Sequence, residues 1–164
     1  MNISKNYISR LSKEVVYNNL LSWAKEFDID FANLIEKYKD YTTSILNIER
    51  EQKKPRKDYA SYSDIKGQIW YMYDELFDSY DKNYEWQNIN DINENKNILN
   101  LYIDKYYNES DDKETWFNKM KTLAGELGFA SEVKEYKNNP DNYKGHIGDV
   151  SMVIRVALTT KSMT

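Results

Sequence analysis

The chain has 164 residues, 40% of them hydrophobic and 30% charged, with no cysteine and a single histidine. That length suits one domain or two small ones, each with its own core. The missing cysteines exclude disulfides, thiolate zinc sites and cysteine nucleophiles, and His146 alone supplies neither a multi-histidine metal site nor a Ser-His-Asp hydrolase.

In chain order, nearly every segment carries the 3.6-residue period and none alternates for long, so the expected fold is all-α, an irregular bundle of about seven helices with almost no sheet. Ser12 is the expected cap of the first long helix, whose face is Val16, Leu20, Trp23 and Phe27. Asp30 is the expected cap of the next, with Phe31, Leu34, Ile35 and Tyr38 on one face, and Ile45 and Leu46 lie in a short helix ending near Glu49. Residues 50–60 break the period, because Pro55 pushes Lys54 out of the helical region. Helix resumes at Ser61 or Ser63 with the stripe Ile65, Ile69, Met72, Leu76 and Tyr80.

Residues 81–91 are polar enough to be a connection, and the only tryptophan outside a helical face, Trp86, sits there as a candidate for stacking on a base. Ile92–Tyr107 reads as one helix with Leu99, Tyr102, Ile103 and Tyr106 inward. Asp111 or Asp112 caps the following helix, whose face is Trp116, Met120, Leu123 and Leu127 and whose stop is Gly128. A short helix over 131–138 ends before Pro140. The last helix starts near Gly148 with an apolar stripe of Val150, Val153, Ile154, Ala157 and Leu158, for which a partner surface is expected.

The overall charge of -4 predicts no general affinity for nucleic acid, but the charges are not evenly spread. Arg50 to Lys57 holds five cations and one acid, whereas Asp74 to Glu94 holds seven acids and one lysine. Charge runs are usually solvated faces. The Lys53-Lys54-Pro55-Arg56-Lys57 run is stiffened by proline between two helices, so its cations converge, and phosphates are the ligand that fits.

Two weaker signals compete with it. His146-Ile147-Gly148-Asp149 resembles the His-Ile-Gly-His signature of class I aminoacyl-tRNA synthetases, but an aspartate stands for the second histidine and no strand precedes it. His146 therefore reads as a turn or cap residue. Paired acids such as Asp74 with Asp78, or Asp111 with Asp112, lie in exposed polar contexts with nothing to raise a pKa, so no catalytic and no metal-binding residue is assigned.

Three strings carry a resemblance to a known family: ILNIEREQKKPRKD over 45–58, WFNKMKTLAGELGF over 116–129, and GHIGDVSMVIRVALT over 145–159. In this order the chain resembles the C-terminal, tRNA-binding half of bacterial glutamate–tRNA ligase (glutamyl-tRNA synthetase). Two departures stand out. Glu51 and Gln52 follow Arg50 where the family has glycines, and Thr159-Thr160-Lys161 stands where it has Thr-Gly-Arg, which removes the glycine from an expected tight turn.

The resemblance implies an anticodon-binding-domain-like helical region that holds a tRNA, with glutamate tRNA the expected partner. Residues 1–109, with the basic loop 50–58, correspond to a region contacting the tRNA stem. Residues 110–164 correspond to the start of the anticodon-binding region, truncated at its C-terminus. A separate N-terminal catalytic domain, a further partner, activates glutamate in the parent with ATP and magnesium. The fragment itself is expected to hold no cofactor and to be non-catalytic.

Lys53, Lys54, Arg56 and Lys57 are the expected phosphate contacts, with Lys161 a weaker one. Arg155 has two readings, an RNA contact or an internal ion pair with an acid such as Asp149. No apolar run is long enough for a membrane helix, and the N-terminus has no signal-like segment, so the cytoplasm is the expected compartment. The competing function is a helical protein-interaction module with no nucleic-acid role, in which the stripe of the last helix docks a partner.

Overall fold

The computed structural model describes residues 3–163, and for Ile3 the backbone alone. Met1, Asn2 and Thr164, the ends of the two expected regions, lie outside the described residues. Among those described there are ten α-helices and no strand, with one isolated parallel bridge between Ala130 and His146. The helices are α1 (Ile3–Ile8), α2 (Lys13–Phe27), α3 (Ile29–Lys37), α4 (Lys39–Leu46), α5 (Ser63–Ile69), α6 (Asp74–Ser79), α7 (Ile92–Leu101), α8 (Lys113–Glu126), α9 (Val133–Asn138) and α10 (Ile147–Thr159). Seven of them have seven or more residues, in line with the sequence count.

The chain packs as two compact units, 1–80 and 81–164. The division expected at 109/110 concerns RNA contact; as packing, α7 joins α8 and α10 because Ile98 shares a core with Met120, Leu123, Val150 and Val153.

In the first unit α2 lies against α3 and α4, burying Val16, Leu20, Phe31, Ile35, Leu46, Ile65 and Ile69. Ser12 caps α2 as expected, its side chain accepting the Val15 N–H. Phe27, placed on the inner face by spacing, is 65% exposed and stacks on Trp23. The cap of α3 is Asp28 rather than Asp30: its Oδ1 accepts the Phe31 N–H at 3.1 Å, and the helix therefore begins before Asp30.

Asp28 also accepts from Lys66 on α5 at 2.6 Å. Partial burial raises its pKa, but the Lys66 hydrogen bond, the Phe31 N–H and the Lys66 charge together lower it below the ordinary carboxylate value. A carboxylate depressed in the folded state stabilises above its unfolded pKa of about 3.9, and that contribution is lost as pH falls through the lower folded value. Asp28→Asn keeps a cap acceptor and loses the charge. Its stability deficit in urea denaturation is expected at pH 6 and should shrink progressively as pH falls below about 3.9; a deficit that stays constant with pH would contradict the ion-pair role.

The stripe from Ile65 to Tyr80 is broken instead of continuous. A 3-10 turn over Trp70–Met72 and an extended Tyr73 separate α5 from α6. The Tyr73 ring is buried with its hydroxyl donating to Thr42 Oγ1, and Tyr41 donates to the Met72 carbonyl, so tertiary hydrogen bonds capture the backbone that helical spacing assigned to one rod. Tyr80 is left exposed.

The second unit holds the start and stop signals that the sequence marked best. Asp112 caps α8, accepting the Thr115 N–H at 2.7 Å, while Asp111 pairs with Lys119. Gly128 ends the helix at φ +83, a left-handed conformation that glycine adopts without a Cβ penalty. The segment expected to be helical to Tyr107 changes to a π turn at Tyr102–Tyr106, which shifts its phase. Leu99, Tyr102 and Tyr106 pack on the core as expected, Asn95 and Ile98 are the fully buried residues of α7, and Ile103 is 61% exposed.

The apolar stripe of α10 is satisfied within this unit. Val150, Val153, Ile154 and Val156 are buried, α10 packing on α7 and α8, while Leu158 points outward, 61% exposed. The face on which the protein-docking reading rested is therefore largely covered.

Candidate nucleic-acid interface

The basic loop of the first unit is fixed at its base by its own first cation. Arg50 Nε donates to the Leu46 carbonyl at 2.7 Å, and Nη1 donates to the carbonyls of Ile8 at 2.7 Å and Leu11 at 3.2 Å. This guanidinium closes the C-terminal end of α4 and the end of α1, using donors that orphan carbonyls require. Burial lowers its pKa, opposed by Tyr59 and Asp58. Glu49 adopts φ +53, and its carbonyl accepts the Arg56 N–H at 3.1 Å, so the segment 50–55 closes on itself.

Lys53, Lys54, Arg56 and Lys57 project from this closed loop, all exposed. Among the described residues Lys53, Lys54 and Lys57 have no hydrogen bond or ion pair. Arg56 Nε donates to Asp58 at 2.8 Å. Beneath them Ile8, Ser9, Arg50, Arg56, Asp58 and Tyr59 line a notch of about 10 Å³, room for about one water. Burial, then the Asp58 charge, pushes Tyr59 up to about 12, keeping its hydroxyl neutral. Such a loop offers point charges to an extended anion and a closed floor to anything smaller.

Arg155 and Lys161 belong to the second unit. Arg155 is exposed, and its Nη1 donates to the Ser162 carbonyl at 3.1 Å. The acid suggested as its partner, Asp149, is engaged elsewhere: it accepts the Asn88 side-chain amide at 2.6 Å and the His146 N–H at 2.8 Å. Lys161 pairs with Glu85 at 2.6 Å. The tight turn persists without the family's glycine. Thr160 takes φ +63, its N–H donating to the Val156 carbonyl, and the Thr159 hydroxyl bonds to both Arg155 O and Lys161 O. A β-branched residue in that conformation costs about 1–2 kcal/mol, offset here by this hydrogen-bonded turn.

His146 is the cap of α10, as the sequence indicated. Its Nδ1 accepts the Gly148 N–H at 3.0 Å and Asp149 returns the bond to the His146 N–H, a reciprocal capping box that leaves no free imidazole nitrogen facing a nucleotide site at Nδ1. His146→Ala is expected to cost about 1 kcal/mol in urea denaturation and His146→Asn well under half of that; equal losses would contradict capping.

Trp86 is half-buried against the second core and stacks on Tyr84 at 5.5 Å with rings 10° from parallel. Acids of the 74–94 run are largely engaged: Glu75 with Lys37, Glu85 with Lys161, Glu94 with Lys144, and Asp91 as the cap of α7. Among the described residues no group of three acids or histidines is placed to hold a metal, and no helix is long and apolar enough to cross a membrane. The anchor role of Arg50 and the Glu85–Lys161 pair were not readable: bonds to carbonyls leave no sequence mark, and the pair spans 76 positions.

Fold and site together define an all-α protein bearing an exposed, internally braced cationic loop. Over nearly its whole length, the chain is homologous to a segment of glutamate–tRNA ligases, an enzyme class. It is 42% identical over 98% of its length to the glutamate–tRNA ligase of Acetivibrio thermocellus, and 39% identical over 99% to that of Clostridium perfringens strain 13. That of Sorangium cellulosum is 39% identical over 95% of the chain. The chain spans 29%, 30% and 27% of the lengths of these three relatives. No family model matches it, and no solved structure does.

Proposed function

We propose that this chain is the tRNA-binding, anticodon-arm-binding part of a glutamate–tRNA ligase, from the C-terminal side of the enzyme. The match along nearly its whole length to ligases of that name carries the reading. Lys53, Lys54, Arg56 and Lys57 hold backbone phosphates of the tRNA stem from the first unit. Arg155 and Lys161 add contacts in the region that begins anticodon recognition.

In the parent, a catalytic domain outside this segment attaches glutamate to its tRNA with ATP and magnesium, in the cytoplasm. This segment contributes grip and position. Phosphate contacts raise affinity without selecting sequence.

Fluorescence anisotropy of labelled glutamate tRNA with the folded chain tests the proposal. Affinity should fall linearly in log–log form with salt, by roughly 0.7–0.9 in slope per phosphate held. A chain that is helical by circular dichroism yet retains no tRNA at low salt would overturn it.

A further inference from the structure

We propose that the turn Lys161–Ser162 is a phosphate subsite, and that Glu85 occupies it as an internal carboxylate plug that RNA displaces. The inference rests on the tRNA-binding reading for its biological ligand, though not for its chemistry. Glu85 Oε1 accepts from Lys161 Nζ at 2.6 Å, while Oε2 faces the Ser162 N–H at 3.4 Å and the Ser162 hydroxyl at 3.5 Å. An ammonium, a backbone N–H and a hydroxyl thus converge on one anionic group. Two oxygens of a phosphodiester present the same charge and nearly the same spacing to those donors.

The two longer bonds set the plug apart from a structural clamp. They lie at or near the limit of useful hydrogen-bond length, and both side chains of the ion pair are about half exposed, where such pairs contribute little. Hydrogen bonding to Lys161 first, then to Ser162, lowers the Glu85 pKa, so the plug is ionised at neutral pH.

The cradle is held by other groups. The Thr159 hydroxyl accepts the Lys161 N–H, Arg155 holds the Ser162 carbonyl, and the Gln87 amide donates to Ser162 Oγ at 3.0 Å. The bond from the Glu85 N–H to the Thr160 carbonyl is main-chain and independent of the carboxylate. Removing the charge therefore weakens the plug without dismantling the cradle.

Glu85→Gln tests this, with Asp81→Asn as a control that removes one exposed negative charge from the same connection. In amide NMR titrations with inorganic phosphate, the Ser162 and Lys161 signals of Glu85→Gln should shift at concentrations about tenfold lower than in the wild-type chain. The Asp81→Asn signals should follow the wild type. No shift in Glu85→Gln, or equal shifts in both variants, overturns the subsite whatever the RNA result. With tRNA, Glu85→Gln should bind more tightly and gain roughly 0.7–0.9 in salt slope, a gain abolished by adding Lys161→Met. Weaker tRNA binding by a folded Glu85→Gln would overturn the plug. Wild-type and Glu85→Gln chains that both ignore tRNA while phosphate still shifts Ser162 would refute the tRNA reading and leave the anion subsite standing.

Discussion

Replacing Lys53, Lys54 and Lys57 together with glutamine lowers the affinity for glutamate tRNA about 10²-fold at about 0.15 M salt, and reduces the salt slope by roughly 2–3. These three are the loop's unengaged cations, exposed on a segment that Arg50 and the Glu49–Arg56 closure hold in place. Little ordering entropy of the backbone then remains to be lost on binding. The loss should be equal for tRNAs of different anticodon, because point charges on phosphates read no sequence. Anisotropy titrations across a salt series check it, and an unchanged slope would show that the loop is a solvated surface. Among the described residues none of the three side chains makes a hydrogen bond or ion pair, so the thermal midpoint should be unaffected.

Gly145→Ala is expected to cost about 2–4 kcal/mol in urea denaturation. A Cβ on Gly145 would stand 2.5 Å from Asp149 Oδ2 and 3.2 Å from the Phe129 ring. The carboxylate cannot retreat: it holds the His146 N–H and the Asn88 amide, and it is buried. The Gly145 carbonyl meanwhile accepts the Ala130 N–H in the bridge beside it. Strain in a packed site of about 1–3 kcal/mol adds to the loss of a cap of about 1 kcal/mol. A deficit below about 0.5 kcal/mol would mean that the capping box yields freely. The same geometry explains one of the strings that resemble the ligases. In GHIGDV the first glycine makes room, His146 caps, Asp149 closes the box, and Val150 begins the buried face.

Legibility in the sequence followed how local each determinant is. Ser12, Asp112, Gly128 and His146 act within four residues of themselves, and each was readable from its neighbours. Where a distant group intervened, periodicity failed. Tyr73 is captured by Thr42, so α5 and α6 are two helices, and the π turn at Tyr102 rotates Ile103 outward. Asp28 caps α3 in place of Asp30, and its carboxylate is also held by Lys66, 38 positions away.

The site divides along the same line. The exposed cations of the loop were readable as residue types in a run. That Arg50 turns inward, that Arg56 is tied to Asp58, and that Lys161 rests on Glu85 depends on tertiary placement that no spacing encodes. The sequence allows Arg155 an RNA contact or an ion pair, and the structure adds a bond from its guanidinium to the Ser162 carbonyl.

The most direct test of the central claim is a map of amide chemical shifts on the isotopically labelled chain as glutamate tRNA is added at low salt. The account predicts that the largest changes fall in residues 50–58, with a second group at 155–162. Saturable tRNA binding that leaves 50–58 unperturbed would contradict it.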